Sequence, residues 1–301
     1  MKKILITGAN SYIGTSFENY LTEFFPDDYV INTVDMIDGS WREMSFVGYD
    51  SVFHVAGIAH SDNGKISEER KALYYAINKD LAVECATKAK IEGVSQFIYM
   101  SSAIIYGDSS PIGKKKVITK DTLPSPSNCY GDSKLQAELA LQEIESDVFK
   151  TVFLRPPMIY GNGCKGNYRL LSNIAQKTLF FPYIENQRSM LYIDHLCEFV
   201  RLMIENNERG IFWPQNAEYS NTSEMIKIIA AAHGKRIKLL RGFNWALRLL
   251  SHISSIVNKA FGSLSYDMEL SKYKANYALY SLESSIKKTE NAKIETKNTQ
   301  K

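Results

Sequence analysis

The sequence predicts an α/β fold: a doubly wound parallel sheet followed by a smaller C-terminal domain. Three observations lead there. Short apolar, β-branched runs alternate with longer helical patterns through the first half of the chain, as expected of successive βαβ units. The first run, Lys3-Ile-Leu-Ile-Thr7, passes directly into a turn that opens a helix, Gly8-Ala-Asn-Ser-Tyr-Ile-Gly14. An acidic residue, Asp35, closes the second run 21 residues after Gly14.

Each element follows from its pattern. Ile13, Phe17, Tyr20, Leu21 and Phe24 recur at helical spacing and predict a helix over 13–24. Residues 29–34 and 51–55 read as the second and third strands. One or two helices occupy 67–92, and 96–100 is a fourth strand. A helix at about 130–144 and a fifth strand at 151–154 complete the first domain, taken as 1–163. Beyond the glycine-rich stretch 161–166 the pattern loosens. Helices are expected at 167–178, 195–206, 222–233 and 243–261, and strands near 190–194 and 210–213 that return to the first domain. Residues 164–290 are thus mainly a second domain. The end of the chain, 291–301, is polar enough to predict disorder, with Ile294 its one apolar side chain larger than Ala.

Composition narrows the function. The 301 residues are 45% hydrophobic and 23% charged, enough to bury a core without disulfides or metal. A net charge of +3, from 36 basic and 33 acidic residues, is too small for a nucleic-acid or membrane-surface footprint. Cys85, Cys129, Cys164 and Cys197 are widely spaced with no C-x-x-C. That excludes a dense disulfide framework and a zinc finger, and fits a reducing, cytoplasmic compartment. His54 and His60 lack a third ligand at metal spacing, so no metal is expected. The opening apolar run is too short for a signal-peptide core, and no run approaches the ~18 residues of a membrane span.

The turn after the first strand brings backbone N–H groups to a helix N-terminus, where they and the helix dipole can hold a pyrophosphate. Gly8, Ser11, Tyr12, Ile13 and Gly14 form this candidate cradle. Asp35 stands where a carboxylate accepts the hydroxyls of an adenosine ribose and repels a 2′-phosphate. It favours NAD(H); Arg42 nearby leaves NADP(H) open. Small residues close the third strand, Val55-Ala56-Gly57, and can pass near a cofactor.

Tyr130 and Lys134 stand at i and i+4, one face of a helix. A free phenol titrates near 10, too high for efficient proton transfer at neutrality. A neighbouring ammonium stabilises the phenolate, and lowering the phenol by about three units requires roughly 4 kcal/mol. The fourth strand ends in Ser101-Ser102, at the carboxyl end where α/β ligand crevices lie. Ser102 can bind a substrate oxygen while Tyr130 transfers the proton; capping the next helical turn is its alternative role.

These residues, with Asn78, Ser101-Ser102-Ala-Ile-Ile-Tyr-Gly107, Leu154-Arg155-Pro156, Tyr160-Gly161 and Arg188…Tyr192-Ile-Asp194, occur in the order of a known family. The chain resembles an extended short-chain dehydrogenase/reductase of the sugar-nucleotide epimerase, dehydratase and ketoreductase group, over residues 1 to about 290. The resemblance implies a Rossmann domain holding NAD(H) and a second domain closing over a nucleotide sugar. It implies Tyr130 as acid/base, Lys134 as its tuner and ribose ligand, and Ser102 as the ligand of the reacting oxygen. Asn78 and Pro157 would join the cofactor site, Ala103 and Asn167 the substrate site, and Arg188 would grip the diphosphate.

Departures from the family pattern carry information. Ser11 replaces the middle glycine of the loop, Met158 an asparagine that commonly contacts substrate phosphate, and His195 the second acid of Val-Asp-Asp. Ala103-Ile104 stands where 4,6-dehydratases carry an acidic pair, which disfavours dehydration. The stretches 155–161, 186–193 and 210–215 look most like bacterial capsule and O-antigen enzymes that reduce UDP-4-keto-6-deoxy-N-acetylhexosamines at C4. That reductase is the expected function. A UDP-sugar 4-epimerase is the alternative, and a non-catalytic dinucleotide-sensing protein the second; such proteins typically lose the tyrosine or lysine kept here. The expected partners are the nucleotide sugar and a second copy in a homodimer, with no nucleic acid. An amphipathic stripe at 243–264 allows weak association with membrane glycan enzymes, core packing being its simpler use. The Lys114-Lys-Lys116 loop reads as solvated.

Overall fold

A computed structural model describes residues 1–59, 66–242 and 261–299. His60 and all but the last residue of the helix expected at 243–261 lie outside the described residues. In chain order the elements are β1 (Lys2–Thr7), α1 (Tyr12–Phe24), β2 (Tyr29–Val34), β3 (Ser51–His54), α2 (Glu68–Tyr75), α3 (Leu81–Ile91), β4 (Gln96–Met100), β5 (Val117–Ile118), α4 (Cys129–Gln142) and β6 (Lys150–Leu154). They continue with β7 (Met158–Tyr160), α5 (Asn167–Lys177), β8 (Phe180–Pro182), β9 (Met190–Tyr192), α6 (Ile193–Glu205), β10 (Gly210–Phe212), α7 (Thr222–Ala232), β11 (Lys238–Leu240), β12 (Ser265–Tyr266) and α8 (Leu282–Thr299).

The chain divides into two compact units. The first comprises residues 1–107, 123–156 and 196–214. Its six strands are all parallel, in the order β10-β6-β4-β3-β1-β2. β3 and β4 are buried along their whole length, which is why they read as continuous apolar runs rather than alternating ones. Leu5, Val52, Phe97 and Phe153 from four adjacent strands join Ala82, Ala86 and Ala137 from the helices in one core. The small helical residues let α3 and α4 lie close on the sheet. From β1 the chain goes one way to β2, then returns across β1 to β3, so the strand order reverses between β1 and β3. In such sheets that reversal opens a crevice beyond the carboxyl ends of the strands.

The segment at 67–92 is one continuous helical run. α2 and α3 are joined by a π turn, Ala76–Asp80, with Asn78 fully buried at its centre. Among the described residues, Ser67 caps the start of this run by accepting from the Arg70 N–H.

The second unit comprises 108–122, 157–195 and 215–301. It holds three short parallel pairs, β7 with β9, β8 with β11 and β5 with β12, and α7 packs on both α5 and α8. Two expectations need correction. The strand near 190–194 does not return to the large sheet: β9 pairs with β7, because β10 already occupies the edge of β6 and Pro156-Pro157 ends β6 and leads the chain away. The strand at 210–213 does join the sheet, as β10. The segment 291–301 was expected to lack structure; α8 instead runs to Thr299. Its Ala, Lys and Glu residues are good helix formers with no Gly or Pro, so an already nucleated helix propagates through them.

Candidate active site

Four loops of the first unit leave the sheet at its carboxyl edge beside the β1/β3 reversal. The β1–α1 turn is shaped by Gly8, whose φ is +92° and whose added Cβ would lie 2.9 Å from the Ala56 amide nitrogen. Only glycine tolerates both that conformation and that approach. Gly14 likewise packs on Ile6 and Val55. Ser11 is the N-cap of α1, its Oγ accepting from the Gly14 N–H at 3.1 Å. The position that is glycine in the family pattern is therefore a working cap, and the pattern Ser-x-x-Gly before a helix was the signal for it. Thr7 Oγ1 shares a 2.8 Å hydrogen bond with His54 Nδ1, joining the ends of β1 and β3. His54 is fully buried and stacks against Phe97 and Tyr99. Burial, with Lys134 nearby, pushes it down to about 3, so its ring is neutral and structural.

Ser102, Tyr130 and Lys134 come together from β4 and α4. Asn128 starts α4 by accepting from the Gly131 N–H at 2.9 Å, which places Tyr130 in the first turn. The Ser102 side chain hydrogen-bonds the Tyr130 phenol. It also accepts from the Ile104 N–H at 3.3 Å, capping the 3₁₀ turn Ala103–Tyr106. Both roles considered for Ser102 are thus compatible. Burial raises the Tyr130 phenol above its usual value; the Ser102 hydrogen bond opposes this and Tyr74, its ring 6.0 Å away, adds to it. Lys134, the expected tuner of the phenol, donates through Nζ to the Met100 carbonyl at 2.8 Å and sits 4.7 Å from the Tyr99 ring centre. Burial of this ammonium brings it down to about 7, against the opposing pull of Glu138.

Gly57 and Asn78 complete this wall. A Cβ on Gly57 would stand 3.0 Å from Asn78 Oδ1 and 3.2 Å from Lys134 Nζ. Asn78 Oδ1 accepts from the Ile58 N–H at 2.9 Å, and its Nδ2 donates to the Ile58 carbonyl and to Ser133 Oγ. Its own carbonyl accepts from the Tyr99 hydroxyl at 2.7 Å. Asn78 therefore fixes the loop after β3 to the helix that carries Tyr130. Sequence reasoning missed Ser133 and Asp132; Asp132 accepts from Tyr75 at 2.5 Å.

The lack of side chains at Gly8 and Gly57 lets the loops after β1 and β3 pack against Ala56 and against Asn78 and Lys134, and the first of these turns ends at the N-terminus of a 13-residue helix, a setting that suits the pyrophosphate of a dinucleotide. Asp35 is exposed at the end of β2 and accepts from the Ile37 N–H. Arg42 is committed elsewhere: it forks onto Glu84 at 2.5 and 2.6 Å and lies over Trp41.

The remaining expected residues belong to the second unit. Pro157 precedes β7, and Met158 opens it opposite Met190. Asn167 is the exposed first residue of α5. Arg188 is partly buried with its backbone paired to Ser220, and burial brings its guanidinium down to about 10. Lys114 and Lys115 are exposed, as expected of a solvated loop, and border an open pocket of about 390 Å³ with Asn186 and Gln187. His195 is fully buried; its Nδ1 bonds Asn216 at 2.9 Å and its Nε2 accepts from the Tyr280 N–H at 3.0 Å. It holds the approach to α8. Among the described residues no group of three His, Cys, Asp or Glu could hold a metal, and no helix is long and apolar enough to cross a membrane.

Residues 4–212 match the model of the NAD dependent epimerase/dehydratase family. The chain is 27% identical over 296 residues to a UDP-glucose 4-epimerase of Vibrio cholerae, covering 90% of this chain and 89% of that protein. Its fold is similar to that of a dTDP-4-dehydrorhamnose reductase from Clostridium acetobutylicum, with a TM-score of 0.73, 16% identity, and coverage of 97% and 99% of the two chains. It is also similar to a UDP-glucuronic acid 4-epimerase from Bacillus cereus solved with NAD, with a TM-score of 0.69, 18% identity, and coverage of 98% and 99%.

Proposed function

Since the chain belongs to the NAD dependent epimerase/dehydratase family, and so is an enzyme of the nucleotide-sugar epimerase and reductase type, we propose that it reduces the C4 keto group of a UDP-4-keto-6-deoxy-N-acetylhexosamine. The observation that carries this reading is the state of Tyr130. Its phenol is enclosed, hydrogen-bonded to Ser102 and raised above its ordinary value by burial. At neutral pH it holds its proton, as a donor must.

Gly8, Ser11, Tyr12, Ile13, Gly14, Asp35 and Gly57 would hold NAD(H), which supplies the hydride when bound. The chain's own residues do the rest. Tyr130 gives its proton to the sugar C4 oxygen as negative charge develops there. Ser102 donates a hydrogen bond to the same oxygen, a fixed dipole aimed at the transition state. Lys134, anchored on the Met100 carbonyl, holds the cofactor ribose and favours reloading of the phenol. Ala103 and Ile104 offer no carboxylate after Ser102, so no acid pair for dehydration stands there. Arg188 and Asn167 would bind the substrate's nucleotide portion. Surface-polysaccharide synthesis in the cytoplasm, by a homodimer, is the setting this reaction suits.

A second reading, 4-epimerisation, is favoured by the Vibrio cholerae relative, named an epimerase and matched over nine-tenths of this chain. One experiment separates them. The enzyme is incubated with UDP-4-keto-6-deoxy-GlcNAc and NADH, and separately with UDP-GlcNAc without reductant. Stoichiometric loss of NADH absorbance in the first supports the reductase. Formation of UDP-GalNAc in the second with no NADH oxidation in the first replaces it with the epimerase. Dinucleotide binding without turnover on a panel of nucleotide sugars would overturn both in favour of a sensor.

A further inference from the structure

Tyr130, Lys134 and Glu138 fall on successive turns along one face of α4. Glu138, 1% exposed, meets Arg155, the residue directly after β6. Arg155 Nε donates to both carboxylate oxygens at 3.1 Å and Nη2 donates to Oε2 at 2.5 Å. Its Nη1 turns the other way and donates to the Tyr106 hydroxyl at 2.7 Å. Tyr106 closes the 3₁₀ turn that Ser102 caps. The same hydroxyl accepts from Trp213 Nε1 at 2.7 Å, so two donors fix its place.

The backbone around this cluster is stitched the same way. Ser101 N–H donates to the Leu154 carbonyl at 2.8 Å and Ala103 N–H to the Pro156 carbonyl at 2.9 Å. The Ser102 turn is therefore held at the strand end from which Arg155 projects. α4 presses on that turn, since a Cβ on Gly131 would lie 2.9 Å from the Ile104 carbonyl oxygen. A buried ion pair is a poor source of stability, because apolar residues of equal volume would often do as well. What a guanidinium adds is a rigid fork whose donors point in set directions. Here one arm grips the helix of Tyr130 and the other grips the turn of Ser102.

We infer that Arg155, clamped between Glu138 and Tyr106, is a positioning residue that sets the approach of the Tyr130 phenol to the Ser102 hydroxyl. It acts through the two elements that carry them. The inference rests on the reading of Tyr130 as proton donor. It extends that reading by naming what holds the donor in reach, where misplacement by about 1 Å can cost on the order of 10²-fold in rate.

The test is a double-mutant cycle on kcat, in whichever of the two assays above registers turnover. Tyr106→Phe keeps the ring and removes the acceptor of Arg155. In the otherwise unaltered enzyme it should lower kcat by about 10- to 100-fold with KM and NADH affinity within about twofold. In a Tyr130→Phe background, where there is no proton donor left to misplace, the same change should cost less than about twofold. Equal losses in both backgrounds, or no loss in the first, would overturn the inference while leaving Tyr130 as the acid. Full turnover by Tyr130→Phe alone, or no turnover with any nucleotide sugar, would overturn the acid assignment and this inference together. Should Tyr106→Phe not fold, Trp213→Phe removes the second donor to the same hydroxyl and must show the same background dependence on a smaller scale; additivity there counts against the inference equally.

Discussion

Replacing Lys134 by methionine should make the protein more stable and inactive at once. In the folded chain the ammonium is buried, and burial brings it from 10.5 down to about 7. At 1.36 kcal/mol per tenfold change in proton affinity, that gap is roughly 5 kcal/mol between the protonated and neutral forms. Between about pH 7 and 10.5 the unfolded chain binds a proton that the folded chain does not, so stability rises with pH across that window. Below pH 7 both carry it, and the penalty is present in full. Methionine removes the penalty, keeps much of the side-chain volume, and forfeits the Nζ hydrogen bond to the Met100 carbonyl, worth about 1 kcal/mol. Glu138 retains Arg155 as its partner. The net gain at pH 7 is about 3 kcal/mol, or roughly 6–10 °C in Tm for a chain of this size. Thermal unfolding without dinucleotide, from pH 6 to 9, provides the assay, because bound cofactor would stabilise the unaltered protein by mass action. The difference between the two proteins should narrow as pH rises above 7. A Lys134→Met protein that melts at or below the unaltered one at pH 7, or a difference that stays constant to pH 9, would refute the reasoning.

Other outcomes follow from the same geometry. Tyr130→Phe removes only the proton donor and should lower kcat by about 10²- to 10⁴-fold with little change in KM; steady-state kinetics retaining more than a tenth of turnover would sink the assignment. Gly131→Ala drives a methyl to 2.9 Å from the Ile104 carbonyl, so kcat should drop at least tenfold while NADH affinity, read by calorimetry, stays within about threefold. NADH should bind more tightly than NADPH if Asp35 takes the proposed ribose-binding role, since Glu84 occupies Arg42; Glu84→Gln should then improve NADPH binding by a few-fold, the scale of an exposed ion pair, and an unchanged NADPH affinity would show that Arg42 does not reach the phosphate.

The parts of this molecule that were readable in advance are those whose physics is local. β1 and the turn after it announce themselves because a buried parallel strand must be apolar throughout and must stop where glycine permits the turn. Tyr130 and Lys134 are readable because four residues make one helical turn. Glu138 continues that face, yet nothing nearby in sequence points to Arg155, which reaches it only after β6 has paired with β4. The pairs β5 with β12 and β8 with β11 were missed for a related reason. Val117-Ile118 meets Ser265-Tyr266 across nearly 150 residues, and two residues carry no periodicity. The extension of α8 was misjudged because a polar composition forbids a core but does not forbid a helix already begun.

The π turn between α2 and α3 makes the length of that segment a matter of phase. One surplus residue is wound into a single turn at Ala76–Asp80. Deleting it would let the helix close at 3.6 residues per turn, and everything on its N-terminal side would rotate by about 100° about the axis. Tyr74 would leave the ring of Tyr130 and Tyr75 would leave Asp132. Single-residue insertions do the same in the opposite sense. A helix that tolerates many exchanges of side chain therefore tolerates almost no change of count, and the winding defect serves as a gauge that keeps its two halves in step.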